Sequence, residues 1–217
     1  MPLLAYCITE PQLGHQTLPA GVQAKPVVAI NEAELCCFVS QYDPDDPQSK
    51  VPVREAALAF SRLLQSLLPQ GTIIPFRFPT LLADEDEVAH YLREHASEYR
   101  EALARLRGTA QMEITLSTTD AETQRRNDKP SGRKYLESRR ASHRLLEAAA
   151  QQLHEAAGAA VIEWRTRDLP AGTRAFALIR YSAVQAFVRQ LESEKVPREI
   201  KIRISGPWPP TEFVKEN

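Results

Sequence analysis

Glycine is scarce in this sequence, at eight of 217 residues. Neither GxGxxG nor GxxxxGK(S/T) occurs. The usual phosphate cradles, where backbone N–H groups approach a ligand unhindered by a Cβ, are therefore excluded. Cysteine is scarcer still. Cys7, Cys36 and Cys37 are odd in number, two are adjacent, and no C-x-x-C spacing exists. That pattern argues against a disulfide framework and an ordinary zinc site. All three lie in apolar runs, which predicts reduced, buried thiols in a reducing compartment. There is no GxSxG elbow. The histidines are His15, His90, His95, His143 and His154. His90 and His95, five apart on an expected helix, point to different faces, whereas helical metal pairs want three or four. The sequence thus predicts no catalytic residue, no metal and no cofactor. No apolar run reaches membrane-spanning length, and residues 1–8 lack the basic start of a signal peptide. A cytoplasmic location with no membrane contact is expected.

What is present is ordinary for a globular chain. Hydrophobic residues make up 43%, charged residues 25%, and the net charge is −1. The length suffices to bury a core without staples. The charge is uneven: residues 1–107 carry a net −5 and residues 108–217 a net +4.

Periodicity divides the chain into two α+β halves, 1–108 and 109–217. Strands are expected at 3–8, 27–30 and 35–42. A helix over 53–68 has Ala56, Phe60, Leu63, Leu64 and Leu67 on one face. A strand over 72–78 follows. Asp84 caps a second helix whose buried face carries Val88, Tyr91, Leu92, Tyr99, Leu103 and Leu106, and Gly108 ends it. Beyond it, residues 110–118 alternate strictly, 131–157 is helical, 159–166 and 174–181 are strands, 182–194 is a helix and 199–205 a strand. That order, β-α-β-β-α-β, predicts a ferredoxin-like domain with a four-stranded antiparallel sheet and two helices on one face. No long linker separates the halves, so they are expected to pack together.

Three stretches ask for more than a fold. Residues 125–144 hold Arg125, Arg126, Lys129, Arg133, Lys134, Arg139, Arg140 and Arg144 against Asp128 and Glu137, a net +6. This is either a solvated helix face or a contact surface for an acidic partner or nucleic acid. Only Tyr135 is at hand for base stacking, which disfavours nucleic acid. In Pro75-Phe76-Arg77-Phe78-Pro79, alternation predicts both rings on one side of a short strand and the guanidinium on the other. In Ser205-Gly206-Pro207-Trp208-Pro209-Pro210-Thr211-Glu212-Phe213, the prolines exclude helix and central strand. That segment is expected to run extended near polyproline II, holding Trp208 in a rigid frame. Trp208 and Phe213 then either dock a partner or staple the C-terminus onto the chain itself.

These motifs, in this order, resemble the GvpL/GvpF family of gas vesicle proteins. The family's C-terminal Ser-Gly-Pro-Trp-Pro-Pro is matched at 205–210, and its Pro-Phe/Leu-Arg-Phe segment at Pro75 to Phe78. Its Ser-Gly-Arg-x-Tyr-Leu element is matched at 131–136. The sequence departs at Pro79, where the family usually has Gly, and at Thr211-Glu212-Phe213, where it usually has Tyr-Ser-Phe. The resemblance implies an N-terminal α+β domain and a ferredoxin-like C-terminal domain with extended helices. It implies an accessory or minor structural protein of gas vesicles, located with them, that contacts the hydrophobic shell protein or other accessory proteins during assembly. It carries no catalytic residues. Candidate interdomain or partner contacts are Pro75, Phe76, Arg77, Phe78, Arg133, Tyr135, Gly206, Pro207, Trp208, Pro209, Pro210 and Phe213. The alternative is a nucleic-acid or regulatory binding module using the basic 125–144 stretch.

Overall fold

The computed structural model describes residues 1–15, 18–43, 52–118, 132–169 and 172–215, with the backbone alone for 14, 15, 132–136 and 138. Two compact units result. The first is Met1–Thr109 joined by the tail from Trp208, and the second is Ala110–Pro207. The expected division had assigned all of 109–217 to the second half. The tail belongs with the first unit because Phe213 is fully buried there and Arg105 holds its carbonyl.

The first unit contains β1 (Leu3–Thr9), β2 (Val27–Glu32), β3 (Leu35–Gln41), α1 (Val53–Leu67), β4 (Ile73–Pro75), β5 (Leu81–Leu82), α2 (Glu85–Glu94) and α3 (Ala96–Leu106). Its sheet runs β2-β3-β1-β4, with β5 also on β1, and all these pairings are antiparallel. Every residue of β1 is buried. Antiparallel strands usually alternate, but here both faces are covered, so both must be apolar. On one face Leu3, Ala5 and Ile8 join Leu35, Cys37 and Val39 in a core closed by Val88 and Leu92 of α2 and by Ala102 and Leu103 of α3. On the other, Tyr6 stacks on Phe60 of α1, centroids 5.1 Å apart. Its hydroxyl bonds Ser40 Oγ at 2.8 Å and accepts from Val22 N–H at 2.8 Å. The five residues expected on the buried stripe of α1 are those the helix buries. Each large apolar one is worth about 1.5–3 kcal/mol.

The single helix expected up to Gly108 is two helices. His95 breaks it, with φ −106° and ψ 13°, and its ring turns back so that Nδ1–H donates to Tyr91 O at 3.0 Å. The start of α2 is as expected: the Asp84 carboxylate accepts from Glu87 N–H at 2.9 Å, and the Glu87 carboxylate reaches back to Ala83 N–H. Gly108, at φ +68°, follows the end of α3.

The three thiols are buried and free. Burial pushes Cys36 up to about 11, and it raises Cys7 and Cys37 further, with help from the neighbouring sulfurs. The folded chain keeps these protons where the unfolded chain, near the ordinary thiol value, loses them. Stability is therefore full below pH ~9 and falls as pH rises toward the folded values. In a native thiol-labelling assay at neutral pH all three should stay unmodified, and all three should react once urea unfolds the chain. Rapid labelling of the native protein would contradict this burial.

The second unit contains β6 (Thr109–Thr118, which starts at the junction), α4 (Gly132–Ala157), β7 (Val161–Leu169), β8 (Gly172–Arg180), α5 (Val184–Ser193) and β9 (Ile200–Trp208). Its sheet runs β7-β8-β6-β9. Met112, Ile114 and Leu116 of β6 and Ala175, Ala177 and Ile179 of β8 face Leu146, Ala149 and Leu153 of α4 and Phe187 and Leu191 of α5. The helix-facing side of the sheet is thus apolar and alternation survives on β6, whereas β8 also buries Phe176 and Leu178, on its other side. β9 corrects the reading of the Pro-rich stretch. The strand does not stop at Ser205 but continues through Pro207 to Trp208. This is permitted because β9 is an edge strand, where a missing N–H costs no ladder bond.

Candidate functional site

Beyond Trp208 the chain turns through Pro209 and Pro210, both buried, into a short 3-10 turn at Thr211–Phe213. Thr211 N–H donates to Pro209 O at 2.8 Å and Phe213 N–H to Pro210 O at 3.0 Å. In the last turn of α3, the Arg105 guanidinium donates to the carbonyls of both Phe213 and Val214, the latter at 3.1 Å. A cation there also complements the negative end of the helix. Val214 packs against the core of the first unit.

This arrangement makes the tail one wall of a cleft of about 380 Å³. Ile74 and Pro75 of β4 form the apolar side. Tyr91, His95, Glu98 and Tyr99 supply the polar side, and Thr211, Val214 and Lys215 come from the tail. The Tyr91 and Tyr99 hydroxyls lie 2.6 Å apart, and the His95 ring stacks on Tyr91 at 4.3 Å. Burial first, then the bond to Tyr91, push the Tyr99 phenol well above its ordinary value. It therefore stays protonated and acts as a hydrogen-bonding group, not a base. One hydroxyl of the pair donates to the other, which leaves one proton for an outside acceptor. Glu98 and Lys215 add one charge of each sign. Such a cleft can hold a polar chain segment. Among the described residues no three His, Cys, Asp or Glu side chains gather to hold a metal, and no helix is long and apolar enough to cross a membrane.

Of the residues singled out in the sequence, Pro75 lines this cleft and Phe76 flanks it, its ring 5.6 Å from Tyr91. Phe78 goes elsewhere, 5.3 Å from Phe60 of α1. The two rings do not share a side as expected, because β4 ends at Pro75 and strand alternation ends with it. Arg77 is exposed, and its carbonyl accepts from the Thr80 hydroxyl at 2.6 Å. Gly206, Pro207 and Trp208 end β9. Arg139, Arg140 and Arg144 are exposed on α4. Arg133 and Tyr135 lie in its first turns, their side chains outside the described set, and Arg125, Arg126 and Lys129 lie outside the described residues. Sequence reading missed His95, Glu98, Arg105 and Lys215. It assigned Tyr91 and Tyr99 to the core on helical spacing alone.

The fold is that of a known class of gas vesicle proteins. It superposes on the crystal structure of gas vesicle protein GvpF from Microcystis aeruginosa with a TM-score of 0.79, 14% identity and 99% coverage of both chains. On that of GvpF from Anabaena sp. PCC7120 the TM-score is 0.77 at 18% identity, covering 100% of this chain and 97% of the other. Gas vesicle protein F of Streptomyces sp. (strain CB03234) is 25% identical over 230 residues, spanning 93% of this chain and 95% of that protein. The family model for gas vesicle synthesis protein GvpL/GvpF matches residues 2–215. The chain belongs to the GvpL/GvpF family.

Proposed function

We propose that this chain is an accessory or minor structural protein of gas vesicles that binds the small hydrophobic shell protein, or other accessory proteins, during vesicle assembly. It works by contact and not by catalysis, in the cytoplasm and at the vesicle. The observation that carries this reading is the cleft of the first unit. Pro75, the first residue of one motif of the family resemblance, lines it, and so do Thr211 and Val214 of the tail that follows the C-terminal motif. The lining offers hydrogen bonds and charges of both signs beside an apolar wall, as a polypeptide partner requires. The second unit supports a ferredoxin-like scaffold role: its element order is β-α-β-β-α-β and its strand order β7-β8-β6-β9. Scaffolds of that kind carry no function by themselves.

Affinity purification of the tagged chain co-expressed with the shell protein and the remaining gas vesicle proteins tests the reading. The wild-type chain should bring down the shell protein or an accessory partner. Glu98→Lys and Lys215→Glu should each lower that recovery by about tenfold while leaving the melting temperature within a few degrees, since both side chains are exposed. If no gas vesicle protein is recovered with the wild-type chain under gentle conditions, the proposal is wrong.

A further inference from the structure

The core holds α4 (Gly132–Ala157) through only part of its length. Its buried side chains are Leu146, Ala149, Ala150, Leu153 and Ala157, and no described side chain of the helix ahead of Leu146 is buried. A helical stretch without a packed face is marginal in water, because most helical stability in a protein comes from tertiary contact. This stretch has a polar tie to the sheet instead. His143 Nε2 lies 3.2 Å from Asp168 Oδ2, near the end of β7, and Nδ1 lies 3.3 Å from the Glu147 carboxylate one turn further along α4. The Thr173 hydroxyl of β8 donates to Asp168 Oδ1 at 3.5 Å, and the two residues are partners in the β7–β8 register. Contacts thus run from α4 through β7 to β8.

The tie needs a proton. A neutral imidazole has one N–H and one bare nitrogen, and a bare nitrogen opposite a carboxylate sets two acceptors against each other. Only the imidazolium donates at both nitrogens. The electrostatics agree: the hydrogen bond to Asp168 first, then the charge of Glu147, raise His143 above the ordinary imidazole value, against desolvation. Arg139, Arg140 and Arg144, within about one turn on α4, oppose the proton, and the two carboxylates in contact outweigh them. From β7 the facing charge is Asp168, and β8 offers the uncharged Thr173.

We infer that His143 is a proton-dependent clamp that holds the N-terminal half of α4 to the end of the β7–β8 hairpin and releases it as pH rises. A basic group favoured in the folded state contributes fully below its unfolded value and loses that contribution as pH climbs through the folded one. The clamp is therefore complete below pH ~6.5 and opens once pH passes the raised folded value. Its parts are exposed, so opening frays the helix locally and does not unfold the unit. The device is independent of the cleft: its residues all lie in the second unit, and its test uses no gas vesicle protein.

The test is hydrogen exchange of the full chain at about pH 5.5 and about pH 8.5, on either side of the imidazole range, read as protection factors so that the intrinsic pH dependence of exchange cancels. In the wild-type chain, protection of the amides of residues 139–144 should fall by about two- to fivefold between the two conditions. Asp168→Asn should show the lower protection at both. So should His143→Asn, whose helix propensity is similar and whose amide is too short to reach Asp168. The His143 ring, followed by NMR, should titrate above the ordinary imidazole value and move down in Asp168→Asn. Glu147→Gln leaves the contact with the sheet in place and should keep most of the protection at about pH 5.5. A loss there as large as that of Asp168→Asn would place the effect within the helix and overturn the clamp. A pH-dependent fall that persists in His143→Asn would overturn it by assigning the proton to another group. Wild-type protection that does not change with pH, or that survives in Asp168→Asn at about pH 5.5, would overturn it by showing that the helix does not lean on the sheet.

Discussion

Replacing Phe213 with alanine is expected to destabilise the first unit by about 3–5 kcal/mol, the usual loss for a fully buried aromatic ring. Residues this close to a chain end ordinarily fray and tolerate change, so the expected loss is far from the default. Phe213 is 0% exposed. Its carbonyl and that of Val214 both accept from Arg105, and Pro209 and Pro210 ahead of it are buried too. The ring therefore completes a core that the first 109 residues leave open. Urea unfolding of the full chain measures the loss, and hydrogen exchange locates it: protection should fall in α3 and β4. Arg105→Ala should act in the same direction with a smaller effect, because it removes hydrogen bonds to two carbonyls but no buried volume. A Phe213→Ala loss below about 1 kcal/mol would mean that the tail is not docked.

The same tail marks where the sequence stops being legible. Local chemistry reads well. The stripe of α1, the alternation of β6, the Asp84 cap and the glycine after α3 are each decided within a few residues, and the structure has them. Long-range destinations do not read at all. Three prolines in four residues announce an extended segment but not that Phe213 will meet Arg105. Leu81–Leu82 is too short to show a period, yet it pairs with Leu3 and Leu4 of β1. Tyr91 and Tyr99 sit at helical spacing and look like core. Their rings do pack inward, but their hydroxyls meet across the break at His95 and line the cleft. A hydrophobicity pattern cannot separate the two ends of a tyrosine, and the break has no glycine or proline to announce it. The family resemblance was legible because it rests on motif order, which needs no geometry.

Gly206→Ala is the second large effect, and it gives a physical reason for the glycine in Ser-Gly-Pro-Trp-Pro-Pro. Gly206 has φ +127°, a conformation open essentially to glycine alone. A Cβ built there would lie 2.9 Å from Gln111 O and 2.9 Å from Met112 Sδ. The Met112 side chain could yield at some cost to the core, but the carbonyl of a paired strand cannot. Backbone strain of about 1–3 kcal/mol and overpacking of about 1–3 kcal/mol together predict a loss of roughly 2–6 kcal/mol. Gly108 is the built-in control. It too has positive φ, +68°, but nothing lies within 4 Å of its ideal Cβ. Gly108→Ala should therefore cost only the left-handed backbone term, about 1–2 kcal/mol. Denaturant titration of the two variants separates the causes. A clearly larger loss at Gly206 means that close approach to β6 adds to the φ requirement. Equal losses would mean that φ alone fixes the residue and that β6 can shift to admit a methyl group.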